Sequence, residues 1–259
     1  MIPPQDVTIW GIAHPWPEQA QIEQDLLLSR AICLIAAHPS LGEELVFRGG
    51  TAFHKLHLPN PYRYSEDLDY VRSTASNVGP LLSALRQIGD GVGFKTNSQV
   101  GAHPKVLWRT TTDEGAPLRI KIEMNTHERS PAMPLVRVPF RVDSHWWSGN
   151  TQVLSFQTPE LVATKTRALY QRSKGRDLFD MWLALTQLDI APAAILNAFA
   201  PYRPAGLTSA LAVANLRTKT ADPQFRDDTT RLAVRLPDDY DIDIAAELVV
   251  DQVLSRLDD

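Results

Sequence analysis

Residues 45 to 70 read LVFRGGTAFHKLHLPNPYRYSEDLDY, and this stretch decides the predicted fold. Its apolar start, Leu45 to Phe47, ends in Arg-Gly-Gly, a pattern typical of a strand closed by a glycine turn. Apolar residues then recur at helical spacing from Thr51 to His57, until two prolines prevent the helix from continuing. Alternation from Asp67 to Val71 predicts a second strand. The stretch therefore predicts strand, turn, helix, loop and strand in succession.

Two features of this stretch have the chemistry of a phosphate and metal site. Gly49 and Gly50 lack side chains and precede the predicted helix, where backbone N–H groups bind phosphate readily. Asp67 and Asp69 are two residues apart on a strand, so their carboxylates lie on the same face. Paired carboxylates suit Mg²⁺, which usually also binds water and substrate phosphates. The combination predicts metal-assisted phosphoryl or nucleotidyl transfer.

Each feature also has a simpler interpretation when taken alone. A Gly-Gly pair is most often a turn, and an Asp-x-Asp pattern is most often a solvated strand or loop. The two patterns occur here in this order with a helix between them, and their combination favours a functional site.

A second informative block begins at Thr158. Threonine as N-cap, Pro159 and an acidic residue in the first turn predict a helix to about Gln171. Lys165 lies on the apolar stripe of this helix, where an ammonium group is costly unless it reaches an anion or a cavity. The next helix, beginning near Arg176, is apolar nearly all round and is therefore predicted to be buried.

Basic residues are concentrated across this block in an acidic protein, with no acid among them: Lys165, Arg167, Arg172, Lys174 and Arg176. An anion nearby would relieve their repulsion, and the candidates are a triphosphate, an RNA backbone, or Asp177 and Asp180. A solvated basic loop, with the two aspartates acting only as helix-capping charges, is the simpler alternative.

The two blocks together resemble the AbiEii/AbiGii toxin family of the nucleotidyltransferase superfamily. The resemblance rests on Gly49-Gly50-Thr51, on SEDLD at residues 65 to 69 and on ELVATKTRALYQRSKGRDLFDMW at residues 160 to 182. It implies a toxin of a type IV-like toxin–antitoxin or abortive-infection pair, which transfers a nucleotide from a nucleoside triphosphate (NTP) to a hydroxyl group and releases pyrophosphate. Some relatives modify the 3′ end of tRNA, so tRNA is the expected acceptor and a cognate antitoxin the expected partner.

The resemblance also assigns roles to individual residues. It implies that Asp67, Asp69, Lys165 and Asp177 are catalytic. It also implies that the cofactor is Mg²⁺, with Mn²⁺ as the alternative. The superfamily often adds a third carboxylate from a neighbouring strand, and Glu123, on the polar face of a predicted strand from Leu118 to Thr126, is the best candidate by position. An exposed polar strand face without a metal is the simpler alternative for Glu123. The expected nucleotide-binding residues are Gly49, Gly50, Thr51, Ser65 and Lys165. The expected RNA contacts are Arg167, Arg172, Lys174 and Arg176.

The predicted fold class is α/β, or α+β in the broader sense. We expect a nucleotidyltransferase-type mixed sheet flanked by helices over residues 1–157, including an extended, proline-rich arm at 1–17 and a helix at 18–38. A mainly helical domain is expected over residues 158–259, contributing Lys165 and Asp177 to the cleft between the domains.

Composition limits the remaining possibilities. The 259 residues carry 26 basic and 30 acidic side chains, a formal net charge of −4, so a nucleic acid would need a local basic patch. A single cysteine excludes a disulfide framework and favours a reducing cytoplasm. No signal peptide or membrane span is predicted. A nucleotidyltransferase acting on a protein or small-molecule hydroxyl, and a nucleotide-binding module without turnover, remain alternatives.

Overall fold

The computed structural model describes residues 2–258, so Met1 in the predicted arm and Asp259 at the end of the predicted helical domain lie outside the described residues. The described residues form two compact units. The first comprises the described residues up to 131 together with residues 135–156, and the second comprises residues 132–134 and the described residues from 157 onward. Each unit has its own buried apolar core. None of the helices within the described residues combines the length and apolar character needed to cross a lipid bilayer.

Within residues 2–258, the first unit contains five α-helices and one π-helical turn around a seven-stranded sheet. The helices are α1 (Pro4–Ala13), α2 (Gln19–Ala37), α3 (Leu41–Glu44), α4 (Gly49–Ala52), which continues into the π-helical turn (Phe53–His57), and α5 (Gly79–Gly91). The strands are β1 (Leu45–Arg48), β2 (Asp67–Arg72), β3 (Lys95–Gln99), β4 (Lys105–Thr111), β5 (Pro117–Asn125), β6 (Val136–Asp143) and β7 (Ser148–Ser155).

The sheet is mixed, with the strand order β3-β4-β5-β2-β1-β7-β6. The central strand β2 pairs antiparallel with β1 and parallel with β5. One face of these strands is apolar: Phe47, Leu68, Tyr70, Ile120 and Ile122 are buried in a core shared with α1, α2 and α5. The residues that alternate with them therefore point to the opposite face. The predicted mixed sheet flanked by helices is confirmed.

The N-terminal segment differs from the prediction. Instead of an extended arm, Pro4–Ala13 form helix α1, which packs against α2. The Trp10 side chain of this helix is buried, and its indole Nε1 donates a hydrogen bond to Asp25 Oδ2 at 2.9 Å. Proline is tolerated in the first turn of a helix, because the N–H groups there need no intrahelical acceptor. The prediction was wrong because it counted prolines without regard to their positions at the two ends of a helix.

The second unit is helical, as the sequence indicates. It contains α6 (Thr158–Gln171), α7 (Gly175–Thr186), α8 (Pro192–Phe199), α9 (Ser209–Thr220), α10 (Pro223–Asp227) and α11 (Ile242–Gln252). Helix α6 begins one residue earlier than expected, with Gln157 rather than Thr158 as N-cap and no side-chain cap. The fully buried carboxylate of Glu160 accepts hydrogen bonds from the N–H groups of Ala132 and Met133 and from the Tyr202 hydroxyl, which fixes residues 132–134 to this unit.

Candidate active site

The glycine turn after β1 is shaped around an aspartate. Gly49 has φ +81°, a backbone conformation that residues other than glycine rarely adopt. A Cβ atom there would lie 2.6 Å from Asp69 Oδ2 and 3.1 Å from Asp69 Cβ. Both the backbone and the close approach of Asp69 therefore require glycine at this position.

A hydroxyl pair joins α4 to the beginning of β2. The Thr51 hydroxyl is buried, donates to the carbonyl oxygen of Asp67 at 2.6 Å and forms a hydrogen bond with Ser65 Oγ at 2.8 Å. These contacts explain why both hydroxyl residues accompany the glycine and aspartate patterns. They also show that the Thr51 side chain is engaged with the protein itself.

A cavity of about 600 Å³ in the first unit adjoins these two hydroxyl groups. Its wall includes Thr51 and Ser65 together with Trp10, Lys55 and Arg63. Lys55 Nζ is 2.8 Å from Asp25 Oδ1 and donates to Ser29 Oγ at 2.9 Å, so this lysine is already neutralised within the protein.

Three carboxylates share the polar face of the sheet. In the register of β2 with β5, Asp67 is opposite Lys121 and Asp69 is opposite Glu123. The Lys121 ammonium lies 2.8 Å from Asp67 Oδ2 and 3.5 Å from Glu123 Oε2. We call Asp67, Asp69, Glu123 and Lys121 the acid face. The structure thus brings together the three carboxylates that the sequence analysis assigned to a metal site.

The charge on this face is reflected in the titration of Asp69. The pKa of Asp69 is raised above its usual range, first by burial and second by the neighbouring charge of Asp67. The positive charges of Arg48 and Lys121 lower this pKa but do not cancel the increase. For Lys121, burial disfavours the charged form, but the hydrogen bond and charge of Asp67 outweigh it and raise the pKa of the ammonium. The three carboxylates of this face therefore carry more negative charge than the Lys121 ammonium neutralises.

The donor set of this face fits a hard divalent cation. Carboxylate oxygens are the ligands that Mg²⁺ prefers, and Asp67 already holds a cationic group, the Lys121 ammonium. Among residues 2–258 there is no cluster of three or more His, Cys, Asp or Glu side chains arranged to hold an ion. The arrangement is thus an aspartate pair with Glu123 beside it, rather than a closed cage of protein ligands.

Arg48 also belongs to this region, although the sequence analysis did not single it out. It is opposite Asp69 in the pairing of β1 with β2, and its Nη1 lies 2.6 Å from Glu128 Oε2. Asn125 Nδ2 donates to the same Glu128 oxygen at 3.1 Å. The available sequence signal for Arg48 was alternation, because it follows Phe47, whose apolar side chain is buried on the opposite face of β1.

A buried cluster of charges in the second unit surrounds Lys165. Lys165 Nζ is 3.2 Å from Asp177 Oδ1 and 2.9 Å from Asp180 Oδ2, and both carboxylates are fully buried. Arg172 completes the cluster with hydrogen bonds of 2.6 and 2.8 Å to Asp177. Burial opposes ionisation of Asp177, but Lys165 and Arg172 outweigh it and lower the pKa of this carboxyl. Lys165, on the apolar stripe of α6, is thus part of a buried ion-pair cluster. The cluster contains Asp177, which the sequence predicted as a site residue, and also Asp180.

The remaining basic residues of the run also have partners in the second unit. Lys174 Nζ and Arg176 Nε lie 3.6 and 3.8 Å from the Asp228 carboxylate. The Arg167 guanidinium lies over the Tyr202 ring, 5.5 Å from its centroid. Of the anions considered from the sequence, Asp177 and Asp180 are therefore the ones observed beside Lys165. Asp228, which is distant in sequence, is the anion beside Lys174 and Arg176.

The geometry at Gly49 predicts a selective effect of one methyl group. We expect Gly49→Ala to displace the Asp69 carboxylate and to weaken Mn²⁺ binding about tenfold or more, as loss of support for a metal ligand does. Gly115→Ala is the matched control, because Gly115 has φ +84° and no other described atom lies within 4 Å of the position that a Cβ would take. Both variants should lose about 1–2 kcal/mol of stability from the positive φ. Equal Mn²⁺ affinity in the two variants, measured by titration, would contradict the proposed constraint on Asp69.

The Lys165 cluster predicts a large effect on stability. Lys165→Met leaves two fully buried carboxylates without this ammonium, so we expect a loss of about 3–5 kcal/mol in the free energy of unfolding, measured with denaturant. Adding Asp180→Asn should restore part of that loss, because it removes one of the buried charges.

The partly exposed Lys174 provides the control for this prediction, and Lys174→Met should change stability by less than about 1 kcal/mol. If Lys165→Met unfolds at the same denaturant concentration as the unmodified protein, the cluster has no structural role.

Comparison with known proteins agrees with these observations. The family model described as "Nucleotidyl transferase AbiEii toxin, Type IV TA system" matches residues 32–248. In structure, the chain is similar to MenT4, a nucleotidyltransferase toxin from Mycobacterium tuberculosis H37Rv, with 19% identity, 99% of both chains covered and a TM-score of 0.54. At that identity the likeness shows a shared fold.

A second solved structure, an antigenic nucleotidyltransferase-like protein from Paracoccidioides brasiliensis, matches 77% of this chain and 88% of its own with 17% identity and a TM-score of 0.40. No curated protein gives a significant match. The family match covers most of the chain, including the glycine turn, the acid face and the Lys165 cluster. The chain therefore belongs to the AbiEii nucleotidyltransferase toxin family of type IV toxin–antitoxin systems.

Proposed function

We propose that this protein uses Mg²⁺, or alternatively Mn²⁺, to transfer a nucleotide from an NTP to the 3′ end of tRNA. The observation that carries the proposal is the register of β2 with β1 and β5, which places Asp67, Asp69 and Glu123 on one sheet face beside the glycine turn. Family membership supports the reaction class, nucleotidyl transfer by a toxin.

In the proposed reaction, the 3′-hydroxyl oxygen of the acceptor forms a bond to the α-phosphorus of the NTP. The bond from that phosphorus to the bridging oxygen of the β-phosphate breaks, pyrophosphate leaves, and the hydroxyl proton is released to solvent. Asp67 and Asp69 would hold the metal ion, with Glu123 as a third oxygen ligand. When bound, the ion would neutralise charge that develops on the phosphates and orient the reacting oxygens.

The glycine turn would bind the distal phosphates. We propose that the N–H groups of Gly49, Gly50 and Thr51 donate to the β- and γ-phosphate oxygens, since glycine permits a close approach and α4 begins there. The hydroxyl contacts modify the role expected for Thr51 and Ser65. Because the Thr51 hydroxyl donates to the Asp67 carbonyl, these two side chains would keep the turn and the aspartate pair in fixed register.

Lys165 and Asp177 remain proposed catalytic residues of the second unit. We propose that Lys165 places positive charge on the triphosphate and that Asp177 and Asp180 keep its ammonium in place. Their fully buried carboxylates and the Asp177 bonds to Arg172 would make that position rigid, and such preorganised charge is an effective source of transition-state stabilisation.

The proposed tRNA contacts are the basic residues Arg167, Arg172, Lys174 and Arg176. Arg172 and Lys174 pair with carboxylates, yet 50% and 46% of their side chains are exposed, so a phosphate backbone in solution could approach both residues. A local patch of this kind is what an acidic protein needs for contact with a phosphate backbone. A cognate antitoxin would restrain the reaction, which would run in the cytoplasm, where NTPs and tRNA are found.

The test is incubation of the purified protein with total bacterial RNA, Mg²⁺ and each of the four α-³²P-labelled NTPs. We expect label on a tRNA-sized band with the unmodified protein and a loss of at least about a hundredfold with Asp67→Asn, because a neutral amide is a poor ligand for a divalent cation. Asp113→Asn, which changes an exposed acid in the turn between β4 and β5, is the matched control and should retain activity.

Label on protein or on a small molecule instead of RNA would overturn the tRNA acceptor while leaving nucleotidyl transfer intact. Equal labelling by Asp67→Asn and the unmodified protein would contradict the metal mechanism.

A further inference from the structure

The acid face contains a cation of its own, and this cation contacts two of the carboxylates that are proposed to hold the metal ion. Lys121 is on β5, opposite Asp67, and its ammonium lies 2.8 Å from Asp67 Oδ2 and 3.5 Å from Glu123 Oε2. Asp67 Oδ2 already accepts a hydrogen bond from an ammonium group at 2.8 Å, so part of its negative charge is neutralised before any metal ion binds. The Lys121 ammonium and a divalent cation therefore compete for Asp67.

The fold itself has little need of this ion pair. The side chains of Lys121, Asp67 and Glu123 are 28%, 35% and 33% exposed. Ion pairs with such access to solvent contribute little to stability. The first unit is held together by its buried apolar core, to which none of these three side chains belongs. A contribution to ligand binding explains the placement better than a contribution to folding.

A triphosphate would change the balance between the two cations. It brings several negative oxygens to the site, and these can accept hydrogen bonds from an ammonium group that has left Asp67. Lys121 has a flexible four-carbon side chain, and its partly exposed ammonium can turn from a carboxylate to a phosphate without disturbing the core. Metal binding and triphosphate binding are then thermodynamically linked through this one residue.

We propose that Lys121 is a positioning residue that couples the two binding events: it neutralises Asp67 and Glu123 in the free protein, and it transfers to the triphosphate when a divalent cation takes Asp67. The proposal rests on the proposed function, because it takes Asp67 as a metal ligand. It implies that the protein binds the metal weakly alone and much more strongly together with the nucleotide.

The test uses Lys121→Met and two probes, Mn²⁺ alone and the Mn²⁺ complex of inorganic tripolyphosphate, which needs no knowledge of the preferred base. Removing the competing ammonium should make Mn²⁺ alone bind about fivefold more tightly, as expected for an ion pair of this exposure. Removing the phosphate partner should make the Mn²⁺–tripolyphosphate complex bind about fivefold more weakly or worse. Opposite shifts of the two dissociation constants are the distinctive result.

Lys95→Met is the matched control, because it removes the same charge from an exposed position on β3 of the same sheet, and it should change neither constant. Circular dichroism and thermal unfolding establish that each variant is folded. Lys121→Arg keeps the charge and should retain weak binding of Mn²⁺ alone.

Asp67→Asn separates failure of this inference from failure of the proposed function. If Asp67→Asn abolishes Mn²⁺ binding while Lys121→Met leaves both constants unchanged, or moves them in the same direction, the coupling role of Lys121 is overturned and the metal site stands. If Asp67→Asn binds Mn²⁺ as the unmodified protein does, the metal site itself is wrong.

Discussion

Electrostatic repulsion among three carboxylates on one sheet face is the constraint to which the surrounding structure responds. Strand pairing brings Asp67, Asp69 and Glu123 together, and burial with neighbouring negative charge raises the pKa of Asp69. Gly49 leaves space for the Asp69 carboxylate, and Lys121 contacts Asp67 and Glu123. Such a concentration of charge lowers stability unless a cation is bound, and functional sites commonly carry this cost.

The two charged clusters of the protein solve different physical problems. The cluster around Lys165 is closed: Asp177 and Asp180 are fully buried, and hydrogen bonds from Lys165 and Arg172 satisfy Asp177. Its members therefore depend on one another for stability. The acid face is partly exposed, and the lysine that contacts Asp67 and Glu123 is itself 28% exposed, so its charges remain available to an incoming ligand. A rigid cluster suits the positioning of a charge, whereas an open one suits the exchange of cations.

The sequence was sufficient to predict the elements of both clusters, but not their connections. Alternation placed Asp67 and Asp69 on one face, and Lys165 on an apolar stripe indicated an anion or a cavity near its ammonium group, because local periodicity determines both. The pairing of Lys121 with Asp67 depends on the register of two strands separated by about fifty residues, which no local pattern fixes. Helix α1 was missed because the positions of its prolines were not considered, and because the contact of Trp10 with Asp25 of α2 is tertiary and has no local signal.

We propose that the acid face of β2 and β5 binds the divalent cation used in nucleotidyl transfer. Anomalous diffraction from crystals soaked in Mn²⁺ and tripolyphosphate tests it most directly. We expect an anomalous peak about 2.1 Å from a carboxylate oxygen of both Asp67 and Asp69, with the Lys121 ammonium moved away from Asp67. A Mn²⁺ ion bound elsewhere, with the Lys121–Asp67 ion pair intact, would contradict this assignment of the metal site.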